Sequence, residues 1–294
     1  MKWKTMRLGD ERESSNIEDR RGQGGGSRVP VRIGGIGGVI LVLGALYFGV
    51  DPQLVLNLLN GAQSSGDTAP VASQAPAAGD DAGKVFIARV LASTEDVWTS
   101  YFQAMGQTYH APHLVLFTDG VQSACGFAQT SSGPFYCPAD QKVYLDLGFF
   151  RELRDRLGAG GDFAQAYVVA HEVGHHVQNE LGIMSRTDRQ RRAGLTDDGP
   201  AGLSVRTELQ ADCFAGVWAK RADDAKKILQ SGDIEQGLNA AAAVGDDRLQ
   251  KETQGYVVPD SFTHGTSAQR AGWFRRGLQS GDVKQCDTFG APSL

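Results

Sequence analysis

His171-Glu172-Val173-Gly174-His175 decides how this chain folds and what chemistry it can hold. At 3.6 residues per turn the two histidines are i and i+4, so on an α-helix they share one face and both reach a single ion. Glu172 lies about 100° round the axis, too far to ligate comfortably but well placed to hold water at an open metal position. The flanks read as helix: Asp162 is a candidate N-cap, Phe163 to Leu181 contains no proline, and Gly182 stands where a C′ glycine belongs. Gly174 costs such a helix roughly 1 kcal/mol relative to alanine, which points to a close approach by another element. The bland alternative is a buried helix with two hydrogen-bonded histidines. His176 points elsewhere and reads as a packing or surface histidine.

A zinc site of this kind needs a third protein ligand, and a second helix carrying carboxylates supplies one. Glu208 and Asp212 are again i and i+4, inside a segment from about Leu203 to Ala222 whose apolar residues include Leu209, Phe214, Val217 and Trp218. Two neighbouring carboxylates on a buried helix are costly without a cation or donor. Glu208 as ligand and Asp212 as acceptor for a histidine N–H resolve that cost, the alternative being a solvated face. Three ligands with an adjacent carboxylate suit one catalytic Zn²⁺ ion, whereas structural sites close with four. Zinc lowers the pKa of water towards about 7, and Glu172 can take its proton and return it to a leaving amine.

These motifs carry a resemblance. HExxH followed by ExxxD on a later helix is similar to the gluzincin arrangement of thermolysin-type peptidases. The strings SACGFAQTSSGPFYCPADQKVYLDLGFF, GDFAQAYVVAHEVGHHVQ, LSVRTELQADCFAGVWA and VPDSFTHGTSAQRAGWFRRG resemble the bacterial putative neutral zinc metallopeptidase family, over about residues 84 to 294. The resemblance implies an α+β zincin-like domain, with His171, His175 and Glu208 as metal ligands, Glu172 as general base and Asp212 as partner of His171. By analogy with thermolysin-like enzymes, His264, just before a helix whose Thr266 and Gln269 form a capping-box pattern, is the candidate oxyanion donor. A turn histidine bonded to backbone is the alternative. Tyr144 is a second candidate donor.

Upstream of the catalytic helix, 123–129, 134–138 and 143–147 read as short strands around a turn at 130–133, a small antiparallel sheet. Val143, Tyr144 and Leu145 are then either the strand that pairs with extended substrate or an ordinary meander strand. Further helices are expected at about 84–106, 149–157, 234–243 and 267–278. Asp246 and Asp247 could bind calcium but more simply meet solvent. The four cysteines have no CxxC spacing, so disulfides fit better than a zinc-thiolate cluster. A hairpin turning near Ser131 would pair Cys125 with Cys137 and leave Cys213 for Cys286; other connectivities, and free thiols, stay open.

Ile33 to Val50 is an uncharged apolar run of eighteen residues, about 27 Å as a helix, enough for one transmembrane span. Eight Lys/Arg against five Asp/Glu precede it, so residues 1–32 are expected as a disordered cytoplasmic tail. The catalytic domain, 84–294, would then face outward from the bacterial inner membrane, joined by a juxtamembrane segment and flexible linker at 51–83. A cleaved signal peptide is the alternative. Without the tail the net charge moves from −5 to −8, which argues against a nucleic-acid surface. The expected function is a membrane-anchored zinc metallopeptidase acting on peptide or protein substrates, cell-wall peptides included. The alternative is a catalytically silent, zinc-stabilised envelope scaffold or binding protein.

Overall fold

The computed structural model describes residues 6–22 and 78–294. Its sheet has the order β1-β2-β6-β5, built from β1 (Ile17–Asp19), β2 (His113–Phe117), β5 (Phe135–Cys137) and β6 (Lys142–Asp146). β1 and β2 are parallel, as are β2 and β6, and only β5 runs antiparallel to β6. The sheet is therefore mixed rather than antiparallel. β3 (Gly120–Ser123) and β4 (Gly126–Gln129) form a separate antiparallel hairpin. The single strand expected at 123–129 is thus half of that hairpin, with Ala124 and Cys125 at its tip.

Alternation along the strands explains why parallel pairing is tolerated. Leu114, Leu116, Val143 and Leu145 enter the main core, while Val115, Phe117 and Tyr144 pack with Val121 and Cys137 on the other face. A sheet covered on both faces can hold parallel strands. The run His113–Phe117 is apolar enough to read as a strand, and Asp119-Gly120 ends it, yet its partners β1 and β6 lie elsewhere in the chain.

Eight helices complete the described residues: α1 (Ala78–Ala104), α2 (Gly148–Asp155), α3 (Asp162–Glu180), α4 (Ile183–Arg192), α5 (Leu203–Lys226), α6 (Asp233–Ala243), α7 (Asp246–Gln254) and α8 (Ser267–Ser280). α3 and α5 are apolar around most of their circumference and form the centre of the core, where Phe163, Trp218 and Phe274 meet. α3 begins differently from expectation. Asp162 is its first residue, Gly161 is the N-cap, and the amide of Phe163 donates to Gln236 Oε1 of α6 at 3.1 Å. Its end follows the sequence, with Gly182 in the left-handed region at φ 71°.

Gly174 is where α3 and α5 touch. A Cβ there would sit 2.9 Å from the Ala211 carbonyl oxygen, a backbone atom that cannot turn away. Gly174→Ala is expected to push the two helices apart and cost about 1–3 kcal/mol, read as a lowered melting temperature.

The amino-terminal segment departs most from expectation. Residues 6–22 are not a separate disordered tail: Met6 and Leu8 are buried in the core, and the Arg7 amide donates to the Ile228 carbonyl at 2.8 Å. β1 lengthens the sheet, Ser14 Oγ donates to the buried Glu95, and Lys142 pairs with Glu18 at 2.8 Å. Net charge did not foretell this, because Arg12, Arg20 and Arg21 are each paired with nearby carboxylates. The correction extends to location. A segment sharing hydrogen bonds with the domain at 84–294 lies on the same side of any bilayer, so a cytoplasmic tail with an outward-facing domain is overturned. Among the described residues no helix is long and apolar enough to cross a membrane. The span expected at 33–50 and the linker up to residue 77 lie outside the described residues. Residues 78–83, also expected as linker, begin α1.

Both disulfides join the expected partners, Cys125 to Cys137 and Cys213 to Cys286. The first holds the β3–β4 hairpin tip against β5, and the second ties α5 to a 3₁₀ turn at Val283–Cys286. The hairpin imagined around Ser131 is absent, since β4 pairs with β3; a single 3₁₀ turn, Thr130–Ser132, leads into β5 instead.

Candidate metal centre

His171, Glu172 and His175 stand side by side on α3, on the floor of a cleft of about 950 Å³. α5 crosses that helix at Gly174 and delivers Glu208, so His171, His175 and Glu208 each offer one ligand atom within 4.8 Å of the others. His171 Nε2 is 3.1 Å from Glu208 Oε2, and His175 Nε2 is 3.3 Å from Glu208 Oε1. The two Nε2 atoms therefore point inward at one spot.

The outward Nδ1 atoms are held from behind. His171 Nδ1 is 2.8 Å from Asp212 Oδ1, and His175 Nδ1 is 2.9 Å from Gln178 Oε1. Asp212, fully buried, accepts from Arg270 Nε at 2.9 Å and Nη2 at 3.0 Å, and from the Tyr167 hydroxyl. Arg270 also donates to the Val244 carbonyl at 3.2 Å and lies 3.8 Å from Glu208. Sequence reasoning missed Arg270, Tyr167 and Gln178. Each is a polar residue in a helix whose partner is distant or ambiguous in sequence, and the only signal was a charge on an otherwise apolar face of α8.

The donor set fits a divalent cation on grounds of charge. With neutral imidazoles, Glu172, Glu208 and Asp212 carry three negative charges against the one positive charge of Arg270, leaving −2 in a buried cluster. Such an excess is expensive in a low-dielectric site, and one divalent ion cancels it. Two imidazole nitrogens and one carboxylate oxygen are a donor set that zinc accepts, with a fourth position left for water.

Without a cation the same field acts on protons. Burial opposes protonation of His171, but the Asp212 carboxylate and the Glu208 hydrogen bond outweigh it and push the imidazole up to about 10. Burial also raises Glu172 above the usual carboxylate range, against the pull of His171 and His175. Glu208 is lowered, since the same two imidazoles overcome its desolvation. Zinc needs the neutral imidazole, so binding at pH 8 is expected to release a proton. Apparent affinity should then fall, by up to about tenfold per pH unit, as pH drops. Calorimetry in buffers of different ionisation enthalpy reads the released proton directly.

His264 lines the same cleft, ahead of the α8 capping box formed by Thr266 and Gln269. Its Nδ1 is 3.2 Å from Asp246 Oδ1, whose Oδ2 accepts the amides of Thr263, His264 and Gly265. That hydrogen bond raises the His264 pKa against the cost of burial. Asp246 is thus a buried partner of a cleft histidine, and Asp247 accepts from Ser267. Neither matches the solvated pair, or the calcium ligands, considered from sequence.

Val143, Tyr144 and Leu145 do not border the cleft. They lie on β6, hydrogen-bonded to β2 on one side and β5 on the other, with no edge free. Tyr144 is buried against Phe135, and its hydroxyl donates to Asp140 Oδ2 at 2.7 Å, which removes it as an oxyanion donor. Of the sheet's two edge strands among the described residues, β1 and β5, the one beside the cleft is β5, whose Phe135 and Tyr136 line it. Tyr136 is pinned to α3: its hydroxyl meets His176 Nδ1 and accepts from Asn179 Nδ2, both at 3.2 Å. His176 Nε2 donates to the His110 carbonyl at 2.6 Å, so His176 is a buried packing histidine. Burial lowers its pKa.

A histidine pair on one helix and a glutamate on another, at the base of a cleft in a mixed α+β scaffold, define a candidate metal centre. The chain belongs to the family described as putative neutral zinc metallopeptidase, which it matches over residues 1–289. It is 49% identical to the uncharacterized protein YpfJ of Escherichia coli K12, over 97% of this chain and 99% of that one. It is 45% identical to the uncharacterized proteins Mb2605 of Mycobacterium bovis and Rv2575 of Mycobacterium tuberculosis, over 74% of this chain and 75% of theirs. No solved structure matches the chain. The family match includes the amino-terminal segment, in keeping with β1 being part of the fold.

Proposed function

We propose that this chain is a zinc metallopeptidase that hydrolyses peptide bonds with water. The observation that carries the reading is Glu172: a buried carboxylate on the cleft floor, beside the three donor atoms but outside their set. A structural ion gains nothing from such a group, whereas hydrolysis needs a base next to the attacking water.

His171, His175 and Glu208 would hold the ion, which when bound would supply a Lewis acid to polarise the scissile carbonyl and acidify water. Glu172 takes the proton of the attacking water and hands it to the leaving amine. Its burial supports this role by raising its affinity for a proton. Asp212, fixed by Arg270 and Tyr167, keeps His171 turned with Nε2 inward. His264 lines the cleft and its Nδ1 is engaged by the Thr263 hydroxyl and Asp246, which leaves Nε2 to donate to the developing oxyanion. The edge of β5, unpaired among the described residues, offers alternating backbone donors and acceptors to an extended peptide, which favours a peptide or unfolded protein segment as substrate. Two disulfides support folding in an oxidising compartment.

Zinc-loaded protein incubated with a peptide library is expected to yield discrete internal cleavages that vanish with a chelator and return with added zinc. A zinc-replete preparation that leaves every peptide and unfolded protein intact would defeat the proposal.

A further inference from the structure

His171 is oriented by a charged pair, Asp212 with Arg270, but His175 is oriented by neutral amides, and these lead to a different part of the chain. Gln178, fully buried one turn beyond His175 on α3, places Oε1 2.9 Å from His175 Nδ1. Its Nε2 donates to the Thr207 carbonyl at 2.8 Å and to Gln210 Oε1 at 3.1 Å. Gln210 Nε2 in turn donates to the Cys286 carbonyl at 2.8 Å.

The direction of this chain is set from its far end. A backbone carbonyl only accepts, so Gln210 must turn its amide nitrogen to Cys286 and its oxygen to Gln178. That oxygen and the Thr207 carbonyl also only accept, so Gln178 must turn its nitrogen to both. Flipping either side chain would set acceptor against acceptor in a buried space. The Gln178 oxygen is left facing His175, and Nδ1 must carry the proton. Nε2 then keeps its lone pair for the ion.

We propose that Gln178 and Gln210 are positioning residues that transmit the fixed polarity of the Cys286 carbonyl to His175, so that the carboxy-terminal tether helps set the zinc affinity. Cys286 is held where this works: it is buried, bonded to Cys213 of α5, and followed by Thr288, whose hydroxyl donates to the Arg206 carbonyl of α5 at 2.6 Å. α5 therefore supplies both the metal carboxylate Glu208 and the frame that orients the second histidine. The inference rests on reading His171, His175 and Glu208 as zinc ligands.

The test is competitive zinc titration of the full chain and of Gln178→Met, Gln210→Met and the double variant, which keep side-chain volume and remove the polar groups. Gln178→Met is expected to weaken zinc about 10–100-fold, and Gln210→Met several-fold. The double variant should bind no more weakly than Gln178→Met, because Gln210 acts only through Gln178. The visible spectrum of the cobalt(II) form should change in the same order. Zinc affinity within twofold of wild type in Gln210→Met, or additive losses in the double variant, overturns the relay while leaving the metal centre standing; wild-type protein that takes up no zinc sinks both. A purely structural role would lower the melting temperature of the metal-free variants with zinc affinity unchanged, which also overturns it. If the Gln178 variant does not fold, nitrogen NMR of zinc-loaded wild type decides: a protonated Nδ1 on His175 supports the relay, and a zinc-bound Nδ1 refutes it.

Discussion

Glu172→Gln is expected to retain one zinc per chain and to lose turnover by about 10²–10⁴-fold, the usual contribution of a general base. The substitution keeps the shape of the side chain and removes only its ability to accept a proton. The ion should stay, because Glu172 lies outside the donor set formed by His171, His175 and Glu208. Its position on α3, directly after His171, makes it line the same cleft as the donor atoms. Burial raises its proton affinity, so exchanging it for a neutral amide introduces no new unpaired charge and the fold should tolerate it. Metal analysis and kcat on one preparation read both halves of the prediction. A zinc-stabilised scaffold makes the opposite forecast, since the variant would then be indistinguishable from wild type in every assay. A fully active Gln variant with normal zinc content would remove Glu172 from the mechanism.

The parts of the site legible in sequence are those written in helical spacing. His171 and His175, and again Glu208 and Asp212, are i and i+4, and each pair needs only a local helix to share a face. Gly174 was legible for a similar reason: a glycine in mid-helix implies a neighbour that a Cβ would strike, and the Ala211 backbone is that neighbour. What escaped depends on contacts far apart in the chain. Arg270 meets Asp212 from 58 residues away, and Gln210 reaches Cys286 across 76. β6 reads as a possible edge strand until β2, paired with it from His113 to Phe117 far upstream, is seen to occupy one of its sides. Whether a strand is central or at an edge is a property of the sheet, not of its own residues. Residues 6–22 resemble a solvated tail as long as the partners of their charges, Glu95 on α1 and Lys142 on β6, are out of view. Helices α4 and α7 went unseen because their faces are mostly polar, leaving little apolar periodicity to find.

Glu208→Gln tests the electrostatic argument for the ion, and zinc affinity is expected to fall roughly 10²–10⁴-fold, equivalent to about 3–5 kcal/mol for breaking a buried charged pairing. The carboxylate contributes more than a donor atom. It is the charge that both Nε2 atoms face, at 3.1 and 3.3 Å, and it lowers its own pKa by meeting them. Replacing it with an amide takes the buried cluster from −2 to −1, so a divalent ion would then leave a net positive charge in a site with limited access to water. Asp212 cannot substitute for it, because both its oxygens are already engaged by Arg270, Tyr167 and His171 Nδ1. The variant should also lose the proton release expected of wild type in part, since His171 would no longer face the second of the two carboxylates that hold its proton. The metal-free variant should melt lower than metal-free wild type at neutral pH, because without the ion His171 holds a proton and loses one of the two carboxylates it faces. If Glu208→Gln bound zinc as tightly as wild type, the third ligand would have to come from another side chain, and the charge balance argued for this centre would be wrong.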